Sequence, residues 1–250
     1  MPVGSGERWC EDYERGRPGW PADVVRVAGL PPSSAVADLG AGTGKLTRLL
    51  VGAFARVVAV EPSEPMRRLL GSLCLDAEAL AGSGQEIPLP DASVDGVFAA
   101  EAFHWFDEEQ AAAEIARVLR PGGALVLLWN VPAGPWEPST AAAEEILGAS
   151  GPRPGELDYD PLDLAGPRRS PGEGALARPQ FEPFQETRIE NPQTLDRDGL
   201  VSYYASMGWL ADLPKCERLP LLDRARAQLT ADRYERAWET RVHWTRAQAA

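Results

Sequence analysis

The stretch Ala35-Val36-Ala37-Asp38-Leu39-Gly40-Ala41-Gly42-Thr43-Gly44-Lys45-Leu46-Thr47-Arg48-Leu49-Leu50 decides the fold. A short apolar run closes on an acid, three glycines follow at alternate positions, and helical spacing then begins. This reads as a buried strand that turns through a glycine loop into a helix. A dinucleotide fingerprint needs Gly-x-Gly-x-x-Gly, and its third glycine would fall on Lys45. A phosphate-cradling Gly-Lys-Ser/Thr loop fails as well, because Leu46 follows Gly44-Lys45 and supplies no hydroxyl for magnesium. What remains is Asp-x-Gly-x-Gly-x-Gly.

Working outward, Arg56-Val57-Val58-Ala59-Val60 is a second β-branched run, stopped by Glu61. Strand, helix, strand in this order predicts a right-handed βαβ unit with parallel strands. An acid at the tip of the second strand can accept from both hydroxyls of a ribose, and Glu61 lies at about the expected distance from the glycines. Val94 to Ala100 is apolar on nearly every side, as a central parallel strand should be. It delivers Glu101-Ala102-Phe103-His104-Trp105-Phe106-Asp107. Ligands of open α/β sheets bind outside the carboxyl ends of strands, so this aromatic group with one histidine is placed for a pocket. Packing of the same aromatics on the next helix is the plain alternative.

These motifs resemble the class I S-adenosylmethionine-dependent methyltransferases. The resemblance rests on the glycine loop, on Glu61-Pro62-Ser63-Glu64-Pro65-Met66, and on Gly82-Ser83-Gly84-Gln85-Glu86-Ile87-Pro88-Leu89-Pro90-Asp91. It extends to the Phe-His-Trp-Phe string and to Leu119-Arg120-Pro121-Gly122-Gly123, and so covers roughly residues 10–130. The string itself is similar to one found in a subgroup of small-molecule methyltransferases. The family implies an α/β fold that is Rossmann-like and doubly wound, with a mostly parallel seven-stranded sheet, helices on both faces, a last strand antiparallel and an added lid region. It implies S-adenosyl-L-methionine as cofactor, held by Asp38, Gly40, Ala41, Gly42, Gly44, Glu61, Pro62, Met66, Ser83, Gly84, Gln85, Ala100 and Glu101. Family members usually carry Asp where this chain has Ser83, so the adenine contact here would rest more on backbone groups near Gly84 and Gln85. Met66 packs on adenine in one reading and in plain core in the other. Tyr13-x-x-x-Arg17-Pro18-x-Trp20-Pro21 resembles the family's N-terminal lid segment; a surface arm that packs Trp9 and Trp20 is the alternative. Tyr13, Arg17, Phe103 and Trp105 become candidates for the substrate. His104 is one of only two histidines, and near this pocket it is the one side chain suited to take a proton from an acceptor.

Bulk properties agree with a small-molecule enzyme. The chain has 250 residues, 44% hydrophobic and 25% charged, enough for one large domain or a core with a smaller subdomain. The expectation is a single domain over 1–250. Its parts are a lid segment at 10–28, a cofactor core at 29–130, a Pro/Gly-rich lid or insertion at 131–183, and C-terminal strands and helices at 184–250. A formal charge of −12 argues against a nucleic-acid partner. Cys10, Cys74 and Cys216 are distant and odd in number, which suits a reducing, cytoplasmic setting without structural metal. No apolar run approaches the roughly 18 residues of a membrane span, and no signal segment is expected.

The remaining elements are expected as helices over Ala22–Ala28, Glu108–Leu119, Ser139–Leu147 and Asp196–Met207, with another from Leu221 after a break at Pro220. Strands are expected over Glu78–Ala81, Ala124–Trp129, Phe184–Glu190 and Arg236–Arg246. An isomerase or cyclase built on the same fold, or a nucleoside-binding regulator, would share these motifs. The methyl acceptor and the oligomeric state are not legible.

Overall fold

The computed structural model describes residues 6–134, 138–148 and 180–248. In chain order the helices are α1 (Glu7–Gly16), α2 (Thr47–Val51), α3 (Glu64–Leu73), α4 (Glu108–Val118), α5 (Ala141–Gly148), α6 (Arg197–Ala205), α7 (Gly208–Ala211) and α8 (Lys215–Gln228). The strands are β1 (Ala35–Leu39), β2 (Arg56–Val60), β3 (Glu78–Leu80), β4 (Val94–Ala100), β5 (Leu119–Pro132), β6 (Gln185–Glu190), β7 (Gln193–Leu195), β8 (Tyr234–Arg236) and β9 (Trp238–Arg246). The described residues fall into two compact units. One contains 20–131, 180–189 and 240–248; the other contains 6–19, 132–134, 138–148 and 190–239.

The first unit holds most of a seven-stranded sheet in the order β3-β2-β1-β4-β5-β9-β6. Strands β1 to β5 pair in parallel. Strand β9 runs the other way: Gly122 N–H donates to Ala247 O, and Ala247 N–H donates to Gly123 O. The β6 side closes antiparallel on β9 through the Phe181–Ala247 bridge. This is the mostly parallel, doubly wound sheet that the family resemblance implied, with the late strand antiparallel and the parallel β1–β2 pair that the βαβ pattern predicted.

Strand periodicity explains why both faces are dry. Leu125, Leu127 and Trp129 of β5 point with Ala37, Val58 and Val97 into one apolar cluster, joined by Ile115 of α4. Ala124, Val126 and Leu128 point the other way, with Val36, Val57 and Phe98, toward Leu50 of α2. Successive side chains alternate faces, so a strand covered on both sides must be apolar throughout.

Two features fasten the loop that follows β3. Arg117 of α4 donates to the carbonyls of Ile87 and Leu89 at 2.9 and 2.8 Å, while Glu114 accepts from Ile87 N–H at 2.9 Å. Ion pairs of Arg117 with Glu114 and Asp91 hold the guanidinium and raise its pKa further.

The other unit has a core of Leu200, Tyr203, Tyr204, Leu210, Leu222 and Trp238, with β7 and β8 pairing antiparallel at its edge. The Arg236 guanidinium lies 4.0 Å from the Trp238 ring centroid and 4.7 Å from that of Tyr203, the geometry of cation–π contacts. Burial pulls its pKa down to about 10. Arg17 lies 5.3 Å from the same tyrosine centroid and donates to Ser206 Oγ at 2.8 Å.

Several local expectations are corrected. Residues 22–26 form a short 3-10 turn and not an α-helix over Ala22–Ala28. The strand expected over Ala124–Trp129 runs from Leu119 to Pro132, with Arg120 to Gly123 as an irregularity inside it. Val94 pairs with Leu119 and Gly96 with Ala124, so the extra residues bulge out, with Gly122 at φ +76°. Pro220 does not split α8, which runs continuously through it. Pro220 and Cys216 are both exposed, so the carbonyl that loses its partner can turn to solvent. Arg236 to Arg246 is two strands, broken at Ala237. Of the Pro/Gly-rich region, residues 135–137 and 149–179 lie outside the described residues, and most of the expected lid lies there.

Candidate active site

The site gathers at the carboxyl ends of β1, β2, β4 and β5. The glycine loop leaves β1 with Gly40, Gly42 and Gly44 at φ +66°, +58° and +85°, a region that side chains bearing a Cβ avoid. Gly40 also has no room for a side chain, since a Cβ there would stand 2.6 Å from the Ala102 methyl. The N–H groups of Gly40 and Ala41 donate to Val60 O, which ties the loop to the end of β2.

Two buried carboxylates flank this loop. Asp38 is 1% exposed and accepts from Thr47 Oγ1 at 2.7 Å. Burial pushes its pKa up to about 7, the Thr47 bond opposes the shift, and the charge of Glu61 adds to it. Glu61 is 6% exposed. Its Oε2 accepts from Gly42 N–H at 2.8 Å and its Oε1 from Ser63 N–H at 2.7 Å. Burial raises its pKa too, against the pull of those two donors and of Arg67. A carboxylate offers about four lone-pair sites, so one further acceptor position stays on each Glu61 oxygen beyond these backbone bonds.

Ser83 and Glu86 exchange backbone hydrogen bonds and close a tight turn around Gly84 and Gln85. A Cβ at Gly84 would lie 2.4 Å from the Phe106 ring, and the same ring comes within 3.5 Å of a Cβ built at Gly40. Phe106 thus spans from the glycine loop to the Ser83 turn. Pro62 is exposed, whereas Met66 is buried at 6% on α3.

At the end of β4 the backbone is strained. Glu101 has φ +51°, a rare conformation for a residue with a side chain. Its N–H donates to Leu128 O at 2.9 Å and its Oε1 accepts from Asn130 N–H at 2.8 Å, so β5 holds it there. Phe103 to Trp105 then form one 3-10 turn. The Trp129 indole Nε1–H donates to His104 Nδ1 at 3.3 Å, and the Trp105 ring lies 5.0 Å from the imidazole. Burial lowers the His104 pKa to about 4.

Asp38, the three glycines, Ala41, Glu61, the Ser83–Gln85 turn, Ala100, Glu101, Phe103, His104 and Trp105 therefore belong to one unit and to one end of its sheet. Tyr13 and Arg17 lie in the other unit, where Arg17 stacks toward Tyr13 at 5.7 Å. Reading the sequence passed over Thr47, Trp129 and Asn130. Thr47 sits nine residues beyond Asp38, where a helix start after the loop could have suggested it; Trp129 and Asn130 show in sequence only as the end of an apolar strand.

S-adenosylmethionine fits this donor set. Two desolvated carboxylates with raised pKa values favour a cationic ligand, Glu61 keeps acceptor positions for ribose hydroxyls, and the glycine loop admits a close backbone approach. Among the described residues, no group of three His, Cys, Asp or Glu side chains is placed to hold a metal ion. No helix among them is long and apolar enough to cross a membrane.

Comparison with known proteins points the same way. Residues 37–127 match the model of the methyltransferase domain. An uncharacterized methyltransferase of Mycobacterium tuberculosis is 37% identical over 219 residues, which is 87% of this chain and 82% of that protein. The malonyl-[acyl-carrier protein] O-methyltransferase of Methylococcus capsulatus is 43% identical over 101 residues, 38% of this chain and 37% of that protein. A solved structure from Anaeromyxobacter dehalogenans superposes with a TM-score of 0.61 at 24% identity, covering 94% of this chain and 99% of the other, and shows the shared fold.

Proposed function

The chain belongs to the class I S-adenosylmethionine-dependent methyltransferases, and within that family we propose that it methylates a small-molecule acceptor by in-line displacement. The observation that carries this reading is the aromatic and imidazole group, Phe103, His104, Trp105, Phe106 and Trp129, at the same sheet end as the two cofactor carboxylates. When bound, the cofactor supplies an electrophilic methyl group on a cationic sulfur.

The chain's own residues then have separable tasks. Asp38, Glu61 and the glycine loop bind and orient the cofactor. The Ser83–Gln85 turn and Phe106 support the adenine side, with backbone groups taking the part that an aspartate would otherwise play. Aromatic side chains keep the reacting end dry, where in-line approach and fixed orientation count most. His104 contacts the acceptor, and Phe103 and Trp105 shape its pocket. A net charge of −12 favours a small acceptor over a phosphate backbone. The protein of Methylococcus capsulatus is named for O-methylation, which makes an oxygen acceptor the first class to try.

The test is product mass spectrometry with the full chain, S-adenosylmethionine and an acceptor panel. A mass gain of one methylene, with S-adenosylhomocysteine released in equal amount, supports the reading. An isomerised or cyclised product without that gain would move the chain to another chemistry on the same fold. Cofactor binding with no turnover of any acceptor would favour a regulator.

A further inference from the structure

We propose that Trp129 locks His104 as its Nε2–H tautomer, so that His104 serves as a hydrogen-bond donor to an acceptor oxygen that arrives already ionised, a carboxylate above all, and not as a base. The proposal deepens the methyl-transfer reading and rests on it for the reaction, but the tautomer itself stands on geometry alone. An indole nitrogen can only donate. Its bond to His104 Nδ1 at 3.3 Å therefore requires a lone pair on Nδ1. A neutral imidazole with its lone pair on Nδ1 carries its proton on Nε2.

The partner that sets this arrangement is itself fixed. Trp129 is 1% exposed on β5, between Leu128 and Asn130, and its ring meets His243 edge to face at 5.8 Å and 71°. The Asn130 N–H is taken by Glu101 and its Oδ1 accepts from Thr240 Oγ1 at 2.6 Å, so the strand end cannot easily turn. A protonated ring would point a second donor at the indole N–H, and burial of the imidazole disfavours that charge in the same direction. For His104 to take a proton at Nδ1, the buried Trp129 donor would have to give up its acceptor.

The tautomer selects the acceptor chemistry. A neutral hydroxyl needs a base, and Nε2–H is not one. An amine has a single lone pair, and a hydrogen bond from Nε2–H would occupy the pair that must attack. A carboxylate oxygen accepts the bond and keeps another pair for displacement. The oxygen forms the new C–O bond as the carbon–sulfur bond breaks, with that electron pair staying on sulfur. The negative charge of the carboxylate and the positive charge of the sulfonium cancel, giving a methyl ester and a thioether, and no proton moves.

The tautomer can be read directly by long-range 1H–15N correlation of the full chain labelled with 15N-histidine, because there are only two imidazoles to assign. The expected pattern near pH 7 is an unprotonated Nδ1 and a protonated Nε2 for His104, lost or mixed in Trp129→Phe. A protonated Nδ1, a charged ring, or a pattern unchanged in a folded Trp129→Phe would overturn the tautomer lock. The wild-type spectrum decides the tautomer even if the variant does not fold, and needs no turnover, so its failure is distinct from failure of methyl transfer. The acceptor class is tested with short mono-, di- and tricarboxylates beside phenols, alcohols and amines. Alkali-labile methyl esters are expected; methylation of amines or alcohols alone, or of no carboxylate, would overturn it. His104→Gln retains an N–H donor and cannot act as a base. It should keep kcat within about tenfold of wild type while His104→Ala loses about 10²-fold or more. Equal losses in the two variants would restore the base.

Discussion

Glu61 gives the sharpest test of how the cofactor pocket is built. Its carboxylate accepts from Gly42 N–H at 2.8 Å and Ser63 N–H at 2.7 Å, and both bonds sit at a site only 6% exposed. Glu61→Ala leaves two sheltered backbone donors without that acceptor, at about 1–3 kcal/mol each. Part of this is offset, because burial already disfavours the charge that the alanine removes. A net loss of about 2–3 kcal/mol in stability, or roughly 4–12 °C in melting temperature for a chain of this size, is expected. Ribose contacts disappear as well, and hydrogen bonds to a charged group contribute about 1.5–3 kcal/mol. The dissociation constant for S-adenosylhomocysteine should therefore rise by about 10- to 150-fold. Glu61→Gln keeps one acceptor oxygen and should fall between alanine and wild type in both measurements. Calorimetric titration and thermal melts of the three proteins provide the numbers. Unchanged affinity in a folded Glu61→Ala protein would refute the assignment of the ribose to β2.

Other consequences follow from the same geometry. Asp38 has its pKa raised to about 7, so its contribution to stability is full below about 4 and is lost as pH rises toward 7; His104, lowered to about 4, contributes fully above about 6.5 and loses that as pH falls to 4. Between roughly pH 4 and 6.5 the two slopes oppose, so urea denaturation of Asp38→Asn should expose a stability decline on acidification that the wild type masks. A cation beside Asp38 favours its ionised form, so S-adenosylmethionine binding near pH 7 should release protons, seen as a binding enthalpy that varies with the buffer; buffer-independent enthalpy would count against it. Arg117→Ala removes the bonds to Ile87 O and Leu89 O, and should cost about 2–3 kcal/mol in denaturation and weaken cofactor binding through the Ser83 turn. Gly84→Ala puts a methyl 2.4 Å from the Phe106 ring and should lower cofactor affinity by calorimetry more than it lowers the melting temperature.

The parts of this molecule that were legible in sequence are those where one local rule dominates. Strands β2 and β4 have the bounds their apolar runs implied, and β1 runs one residue past the acid that closes its run, because a central parallel strand is apolar on both faces and stops near where polarity returns. The glycine spacing announced the sharp turn after β1, where Gly40, Gly42 and Gly44 take positive φ, and the polar stop after β2 placed Glu61 at the strand tip, where it accepts from Gly42 N–H. Pro220 misled because its penalty depends on whether the freed carbonyl reaches solvent, which is a matter of packing. The bulge at Arg120 to Gly123 is a property of pairing with β4 and β9, not of its own residues. Trp129 was invisible as a partner of His104, 25 residues away in sequence, since only the adjacency of β4 and β5 brings them together. The raised pKa of Asp38 likewise needs burial and the nearness of Glu61, neither of which a motif states.

We propose that the β1–β2 end of this sheet is an S-adenosylmethionine site feeding methyl transfer. Calorimetric titration of the wild-type chain with S-adenosylhomocysteine, beside NAD as a control, tests it most directly. Saturable one-to-one binding of S-adenosylhomocysteine, weakened in Glu61→Ala, with no heat from NAD, is the predicted result. NAD binding without any response to S-adenosylhomocysteine would contradict it.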